Sequence, residues 1–418
     1  MGAANRIDGA PRSVIVVGAG IVGLSTAWFL QERGVEVTLV DRVGVAAGSS
    51  WGNAGWISPA LAIPLNEPAN LRFGLRSLLS RTAPLQVPLN SGPALWSFLA
   101  RFAANSRPAA WRRAVRANAP LSAECIEAYD VLLGNGVDAP VTDAPITAIF
   151  RTSADAERLL DELRRFSEAG QPVFGTELTG AALAERVPLA SAAVAAGVQI
   201  DGQRFLDPGR FVTALGCAVV QRGAVLHILD VADVSPRGDG VVVTSGDGTT
   251  LTADAAVIAS GAWLSRLAAR WIRVPVRAGR GYSFSVPVDG PVTGPIYLPD
   301  ARVACTPLNA RLRIAGTMEF GDPDGPIIPA RVEAIVAATR PLLDGVRWDE
   351  RTDVWVGPRP VSPDGRPLVG EVCPRSVYVA GGHGMWGMTH GPVTGRLLAE
   401  QITTGKQSAV LRDLDPLR

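Results

Sequence analysis

The chain has 418 residues, of which 47% are hydrophobic and 19% charged. A chain of this size and composition can bury two cores, which excludes disordered and fibrous classes. Forty basic and 39 acidic side chains leave a formal net charge of +1, so no global field would gather nucleic acid. The four cysteines include no CxxC pair, which excludes the usual zinc and disulfide patterns and favours reduced thiols in a cytoplasmic protein.

The first predicted elements form one strand–helix–strand unit. Residues 13–17 are a β-branched run, 18–23 a glycine turn, 24–33 a helix and 35–40 a second strand. The uncharged stretch 13–30 could also pass for a signal-peptide core or a membrane helix. Its regularly spaced glycines favour the folded unit.

The glycine turn carries a dinucleotide-binding pattern. Gly18, Gly20 and Gly23 follow a strand and open a helix, so the backbone can approach a pyrophosphate whose charge lies at the helix N-terminus. Asp41 ends the second strand, where a carboxylate can accept the ribose hydroxyls. The pattern alone does not separate FAD from NAD. The small, polar segment 48–56 favours FAD over NAD, because a nicotinamide-binding domain usually continues with a helix at this point.

The predicted secondary structure changes from mostly helical to mostly strand along the rest of the chain. They comprise mixed helices over 61–190 (among them an amphipathic helix over 154–169), strands over 224–234, 240–244 and 255–259, an alternating antiparallel pattern over 274–314, and a strand, glycine turn and helix over 354–405. The helical region has the character of a domain inserted into a dinucleotide-binding domain.

Five further motifs make the sequence resemble the FAD-dependent D-amino-acid oxidase superfamily. They are Gly48–Trp56, Asp207–Phe211, Val257–Trp263, Arg359–Gly365 and Gly381–Gly384. The segments Asn53–Pro59 and Gly281–Ser283 look most like bacterial D-amino-acid dehydrogenases of the small-subunit type. The motifs keep the family order from residue 13 to residue 404.

The resemblance implies an α/β fold in two interleaved domains. A glutathione-reductase-like, FAD-binding Rossmann domain would comprise residues 12–60, 191–265 and 355–405. An α+β substrate domain built on an antiparallel sheet would comprise 61–190 and 266–354.

The same resemblance implies a set of cofactor-binding residues. Gly18, Gly20, Gly23 and Asp41 would hold the adenosine diphosphate. The other residues implied to contact FAD are Ile21, Val22, Arg42, Ser49, Ser50, Asn53, Ala54, Gly55, Trp56, Val231, Ser260, Gly261, Trp263, Arg359, Gly382, His383, Gly384, Trp386, Gly387, Met388 and Thr389. We expect the FAD to be bound non-covalently, since residues 48–56 contain neither Cys nor His. Val231 could equally be core.

Two residues are implied to be catalytic, Arg359 and Tyr282. Prolines flank Arg359 and fix its position, and a rigidly placed guanidinium suits a carboxylate. Substrate would also contact Met385 and Trp386, although these and Tyr282 could be core packing. Met385 stands where the glycine-oxidase branch has a second arginine, which makes that branch a poorer match.

The glycine-rich C-terminal segment is implied to face the flavin. A helix beginning near Gly391–Pro392 would direct its N-terminal amides at the reduced flavin, which is anionic. An ordinary glycine-capped helix is the alternative. We assign His383 to cofactor contact, because hydride transfer from Cα needs a neutral amine and good alignment but no general base.

The predicted function is FAD-dependent oxidative deamination of a small or apolar amino acid, with a D-amino acid as the implied substrate. Hydride would pass from Cα to flavin N5, and the imino acid would hydrolyse to a 2-oxo acid. Alternatives are an enzyme for secondary amino acids, such as sarcosine, proline or hydroxyproline, and a flavoprotein subunit of a hetero-oligomeric complex.

The electron acceptor and the location depend on two further observations. Lys406 is the sole lysine, so the oxygen-activating lysine of sarcosine-oxidase relatives has no counterpart, which favours a quinone or dye-like acceptor over oxygen. Residues 96–116 mix aromatic and basic side chains that could contact the inner face of a membrane peripherally, or could form a solvated helix of the substrate domain.

Overall fold

The computed structural model of the chain describes residues 9–68, 85–86, 92–170 and 172–418. The strands in this part of the chain are β1 (Ser13–Val17), β2 (Glu36–Asp41), β3 (Trp56–Ile57), β4 (Leu85–Gln86), β5 (Val141–Asp143), β6 (Ile146–Phe150), β7 (Gly175–Leu178), β8 (Ala196–Ile200), β9 (Arg204–Leu206), β10 (Val225–Ile228), β11 (Val231–Arg237), β12 (Gly240–Ser245), β13 (Thr250–Ala253), β14 (Ala255–Ile258), β15 (Arg277–Pro287), β16 (Ile296–Leu298), β17 (Val303–Leu308), β18 (Arg311–Phe320), β19 (Thr352–Val361), β20 (Leu368–Cys373) and β21 (Val377–Gly381). The α-helices are α1 (Ile21–Glu32), α2 (Pro93–Asn105), α3 (Pro108–Gly134), α4 (Ser153–Glu168), α5 (Gly180–Arg186), α6 (Pro208–Gln221), α7 (Leu264–Ala268), α8 (Pro329–Thr339), α9 (Gly387–Thr404) and α10 (Ala409–Asp413).

A six-stranded sheet with the order β10-β2-β1-β14-β21-β20 forms the first layer. All neighbours in it are parallel except β20 and β21. β1, α1 and β2 make the predicted strand–helix–strand unit, and the fully buried residues of β1 and β14 reflect a sheet covered on both faces. The predicted α/β class is confirmed.

The two faces of this sheet are covered differently. Helices α1, α3, α6 and α9 share one apolar cluster, whereas the antiparallel strands β11, β12 and β13 and helix α7 contribute to the cluster that includes Ile15 and Val17. α1 and α9 approach closely, since a Cβ at Gly395 would lie 2.6 Å from the Ser25 carbonyl carbon. The close approach of α1 and α9 fixes the beginning of α9 relative to the glycine turn before α1.

A second, larger sheet has the order β19-β15-β18-β17-β16-β6-β8-β7, with β4 beside β18. Its pairings are antiparallel except β16 with β6 and β4 with β18. The alternating pattern predicted over 274–314 corresponds to β15 to β18, whose inner face packs on α8. The interleaved α+β domain expected from the sequence is therefore present.

The limits predicted for the two domains fall beside or inside strands of the second sheet. β8 follows residue 191, and β19 crosses residue 355, so both strands lie in the larger sheet. The predicted division by residue number stays a prediction, and its range 61–190 includes residues outside the described part of the chain.

The segment 13–30 adopts the strand and helix of the folded unit rather than one continuous apolar helix. Across the described helices, none has the length and apolar character needed to cross a membrane.

The aromatic residues of segment 96–116 mostly face inward. Phe98 is fully buried against Phe320, with ring centroids 5.5 Å apart, and the Trp111 ring contacts Phe166. Trp96 remains 42% exposed. The packing of α2 and the start of α3 thus accounts for most of these aromatic side chains, and membrane contact stays a prediction.

α9 begins at Gly387, earlier than the sequence predicted, and contains Pro392 within its first turns. A proline cannot donate the backbone hydrogen bond to the carbonyl four residues before it, here that of Met388. The buried Tyr129 hydroxyl of α3 donates to the Met388 oxygen at 2.6 Å instead. This tertiary replacement lets the helix start upstream of its proline.

Tyr129→Phe should lower the free energy of unfolding by about 1–3 kcal/mol, because the buried Met388 carbonyl loses the donor that replaces the missing proline N–H. Urea unfolding of the FAD-free protein measures this. Tyr297→Phe is the matched control, since the Tyr297 hydroxyl makes no hydrogen bond to the described residues. Equal stabilities of the two variants would contradict a role for the Tyr129 hydroxyl.

Candidate active site

A cleft opens at the carboxyl ends of β1, β2, β14 and β21. Ligands of open parallel sheets bind at this edge. The predicted residues that line the cleft are Gly18, Gly20, Ile21, Val22, Asp41, Arg42, Ser49, Ser50, Asn53, Val231, Ser260, Gly261, Trp263, Arg359, His383, Gly384, Met385, Gly387 and Met388.

The glycine turn before α1 forms a cradle for an anion. A Cβ at Gly18 would lie 2.4 Å from the Ala259 oxygen, and one at Gly23 would lie 1.9 Å from the Gly18 oxygen, so both glycines permit close packing. A Cβ at Gly20 would meet only Ser50 Oγ, at 3.2 Å. Ser50 Oγ accepts from the Ile21 N–H at 3.0 Å, and Gly20 itself has no capping side chain, so the later amides of the first turn of α1 and the helix dipole can face a phosphate.

Asp41 lies at the cleft end of β2 and already accepts three backbone N–H groups. Oδ2 accepts from Ala19, and Oδ1 accepts from Val43 and Gly44, all at 2.9–3.0 Å. A carboxylate offers about four acceptor positions, so one remains for a ribose hydroxyl. Asp41 therefore also organises the two turns that frame the adenosine end, which its position in the sequence did not indicate.

Asp41→Ala should weaken FAD binding by about 10-fold to 100-fold, the range for losing a hydrogen bond to a charged group. It should also lower the melting temperature, because three turn amides lose their acceptor. Asp41→Asn keeps a side-chain oxygen for the turn and should recover part of the stability. FAD content after dialysis and thermal unfolding measure both effects, and full FAD retention by Asp41→Ala would exclude a ribose contact.

Arg42 and Trp263 form a bridge across the adenosine end of the cleft. The Arg42 guanidinium lies 4.0 Å from the centroid of the Trp263 ring, and both side chains hydrogen-bond to Asp324. Asp324 follows β18 of the second sheet, so the larger domain contacts the cofactor domain here. Val231, at the start of β11, lies in the same part of the cleft.

The loop after β2 divides into residues that line the cleft and residues behind it. Ser49 donates to the Pro358 oxygen and Asn53 Oδ1 accepts from Gly55 at 2.9 Å. The three predicted residues that follow do not line the cleft: Ala54 and Trp56 bond to Thr306, and Gly55 has a left-handed backbone (φ +80°) against Leu206.

The N-terminus of α9 points into the cleft through Gly387 and Met388, and none of the side chains in the described part of the chain caps it. Its neighbours Trp386 and Thr389 are turned away: Trp386 Nε1 donates to the Ile63 oxygen at 2.8 Å, and Thr389 Oγ1 donates to the Trp56 oxygen at 3.2 Å. The predicted residues Gly23 and Gly382 also lie behind the cleft wall.

His383 lines the cleft and is buried. Its Nε2 shares a hydrogen bond with Thr394 Oγ1 at 2.9 Å, whereas Nδ1 is buried without a partner among the described residues. Burial lowers the pKa of His383 to about 4. The imidazole is therefore neutral over the physiological pH range, which fits cofactor contact rather than acid–base work.

The pH dependence of turnover should show no ionisation near 6.5. Because the pKa of His383 is lowered to about 4, kcat/KM between pH 5 and 8 should follow only the amine of the substrate. Below pH 6.5 His383 is protonated in the unfolded chain but stays neutral in the folded protein. Its burial therefore lowers the free energy of unfolding as the pH falls from about 6.5 towards 4. An inflection near 6.5 that His383→Gln removes would contradict this assignment.

Arg359 enters the cleft from β19, where it pairs with Gly279 of β15. Nη1 donates to the Thr317 oxygen at 2.6 Å, and no carboxylate of the described residues lies within 4.0 Å of the guanidinium. Burial lowers the pKa of Arg359 to about 10, which leaves the group cationic at neutral pH. A partly buried cation without an anionic partner thus faces the cleft.

The structure does not bring Tyr282 to the cleft. It is fully buried in the second sheet, and its hydroxyl donates to Glu319 Oε2 at 2.9 Å. Burial and the Glu319 carboxylate raise the pKa of Tyr282 to about 12. Side chains alternate along a strand, so Tyr282 points away from the face that Gly279 and Gly281 share beneath Arg359.

Sequence reasoning missed other residues of the cleft wall. They are Val17, Val40, Val43, Ala47, Gly48, Leu229, Asp230, Ala259, Arg266, Leu267, Pro360, Ala380 and Gly381. Several end parallel strands, and the rule that ligands bind at carboxyl ends could have found those. Arg266 and Leu267 come from α7, and no sequence signal placed that short helix over the cleft.

The cleft fits a dinucleotide with a flavin at one end. The glycine cradle and the N-terminus of α1 line it, and two buried polar atoms on its wall, Ser260 Oγ and His383 Nδ1, lack partners in the described part of the chain. Such atoms are expected where a polar ligand completes the site.

Comparison with known proteins agrees with this geometry. Residues 13–401 match the family model described as DAO, FAD dependent oxidoreductase. Similar solved structures include glycine oxidase from Geobacillus kaustophilus (24% identity, TM-score 0.73, covering 98% of each chain). Others are L-α-glycerophosphate oxidase from Mycoplasma pneumoniae with FAD bound (17% identity, TM-score 0.72, 94% of each chain) and L-proline dehydrogenase from P. horikoshii (18% identity, TM-score 0.66, 98% of each chain). The chain therefore belongs to the FAD dependent oxidoreductase (DAO) family, and FAD is its cofactor.

Proposed function

We propose that the protein oxidises the Cα–N bond of a small or apolar amino acid to an imino acid, which water hydrolyses to a 2-oxo acid and ammonia. The observation that carries this proposal is Arg359, a cation in the cleft with no anionic partner among the described residues. An amino-acid carboxylate supplies the missing charge and can bind a guanidinium through two hydrogen bonds.

The surroundings of Arg359 favour an apolar side chain on the substrate. Met385 lines the cleft and belongs to an apolar cluster with Met318 and Val361, which lie close in sequence to Thr317 and Arg359. Flexible methionine side chains adapt to apolar groups of different shape. A substrate held by its carboxylate at Arg359 would direct its side chain towards this cluster.

FAD, when bound, supplies the two-electron acceptor for the hydride that leaves Cα. The chain itself contributes orientation and electrostatics. Arg359 would hold the carboxylate, Asn53 and Ser49 would hold the cofactor edge, and the uncapped N-terminus of α9 would favour the negative charge of the reduced cofactor. Neutral His383 would contact the cofactor and take no part in proton transfer.

The enantiomer and the electron acceptor are the finer parts of the proposal. The likeness of Asn53–Pro59 and Gly281–Ser283 to D-amino-acid dehydrogenases supports a D-amino acid. Lys406 lies after α9, away from the cleft wall, so no lysine of the described residues is placed to activate oxygen. We therefore propose a quinone or dye-like acceptor.

A screen of D- and L-amino acids with a dye acceptor and, separately, with oxygen tests the proposal. The expected result is dye reduction with release of ammonia and a 2-oxo acid, fastest with an apolar D-amino acid and slow with oxygen. Turnover confined to N-substituted amino acids would instead assign a secondary-amine substrate. The proposed reaction would be contradicted if no amino acid were turned over, or if turnover of unsubstituted amino acids released no ammonia.

A further inference from the structure

The guanidinium of Arg359 lies in a niche formed by a β-bulge. The ladder between β15 and β18 is regular on either side, but Thr317 and Met318 of β18 both lie opposite Gly281 of β15. A bulge leaves one residue outside the ladder and bends the strand locally. Bulges are frequent next to active sites, where they redirect a group.

Gly281 forms one wall of this niche. A Cβ at Gly281 would lie 2.1 Å from Cζ and 2.1 Å from Nη2 of Arg359. Its backbone is not left-handed, so glycine is needed here for space and not for conformation. Any side chain at position 281 would have to push the guanidinium out of its present place.

Thr317 forms the opposite contact. Its φ is +63°, a left-handed conformation that is rare for a β-branched residue. The Thr317 carbonyl oxygen lies at the bulge and accepts the hydrogen bond from Arg359 Nη1 at 2.6 Å. Strained backbone of this kind persists where the surrounding structure holds it, often at functional sites.

We propose that Gly281 and Thr317 are positioning residues that fix the direction of the Arg359 guanidinium and thereby the place of the substrate carboxylate. This inference rests on the proposed function, in which Arg359 binds that carboxylate. Nη1 is held by the protein, and the other N–H groups of Arg359 make no hydrogen bond to the described residues. The niche thus holds the guanidinium in one orientation, with its remaining N–H groups available to a carboxylate in the cleft.

Gly281→Ala tests the niche. The added Cβ meets the end of a flexible side chain, so the fold and FAD content should be retained while the guanidinium moves. KM for an amino acid should rise by about tenfold or more, because the displaced guanidinium loses a charge-assisted hydrogen bond to the substrate carboxylate. The kcat should change much less, because this contact binds the substrate before and during the reaction. Binding of propionate, followed by its perturbation of the flavin spectrum in the holoenzyme, should weaken by the same factor.

Gly279→Ala is the matched control. It lies two residues earlier on the same face of β15, and its Cβ would meet the Met318 sulfur, at 2.1 Å, and Val361 Cγ2, at 3.0 Å, instead of the guanidinium. Propionate binding should change by less than about threefold, because a methionine side chain can shift. An equal loss in both variants would overturn the inference, since a general disturbance of β15 would then explain it.

The double variant separates the inference from the proposed function. Adding Gly281→Ala to Arg359→Leu should cost nothing further, because the two changes act on one contact. If Arg359→Leu weakens propionate binding and Gly281→Ala does not, the positioning role is wrong and the proposed function stands. If Arg359→Leu leaves propionate binding unchanged, the proposed function itself fails. Loss of FAD or of thermal stability in Gly281→Ala would show that the glycine serves the fold.

Discussion

Arg359→Leu should leave FAD bound and lower kcat/KM for amino acids by about 30-fold to 4,000-fold. Removing one partner of a buried charge pair costs about 2–5 kcal/mol, and about 1.4 kcal/mol corresponds to tenfold. The FAD should stay because the glycine cradle and Asp41 bind at the other end of the cleft. Steady-state kinetics with a dye acceptor, together with the FAD-to-protein ratio, measures both parts.

A second substrate and a second variant test whether the loss of activity comes from the lost contact with the carboxylate. A carboxylate-free amine should lose far less activity in Arg359→Leu, since the ion pair is absent from both proteins. Arg359→Lys should recover only part of the loss, because an ammonium cannot form the planar, two-pronged contact. Equal losses for both kinds of substrate would mean that Arg359 shapes the cleft without binding the carboxylate.

Gly20→Ala should abolish FAD binding at micromolar protein while the apoprotein remains folded. Gly20 has an extended backbone (φ −85°), and its Cβ would meet only Ser50 Oγ, at 3.2 Å, so a shift of the Ser50 side chain by a few tenths of an ångström should accommodate alanine. The methyl group would instead occupy the cradle where the pyrophosphate approaches the amides. Losing two hydrogen bonds to a charged group costs about 3–6 kcal/mol, or roughly 100-fold or more in affinity.

Two other glycines serve as controls for Gly20→Ala. Gly23→Ala should damage the apoprotein as well, because its Cβ would lie 1.9 Å from the Gly18 oxygen. Gly134→Ala meets nothing within 4 Å and should keep both FAD and stability. Thermal unfolding of the apoproteins and FAD titration separate the three cases. Tight FAD binding by Gly20→Ala would place the pyrophosphate elsewhere.

Sequence reasoning was most successful where the signal is local. The glycine turn, the helix after it and Asp41 lie within 30 residues of one another, so the first strand–helix–strand unit followed from their spacing alone. The antiparallel pattern of β15 to β18 was likewise visible as alternation. Each of these features depends on neighbours close in the chain.

The features that the sequence did not predict depend on contacts between distant segments. Pro392 predicted a later start of α9, whereas the Tyr129 hydroxyl from α3 donates to the carbonyl that the proline leaves without a backbone donor. Tyr282 was expected in the site, but the face of a strand that meets a ligand depends on pairing register, which a single sequence does not show. The Asp324 contact with Arg42 joins residues 282 positions apart.

Anaerobic titration of the purified holoenzyme with amino acids, followed by the visible absorbance of the flavin, tests the central claim most directly. We predict that an apolar amino acid reduces the flavin completely, that the matching amine without a carboxylate reduces it far more slowly, and that Arg359→Leu removes the difference. A flavin that stays oxidised with every amino acid, or that is reduced equally well by both members of each pair, would contradict the claim that Arg359 selects a carboxylate for oxidation in this cleft.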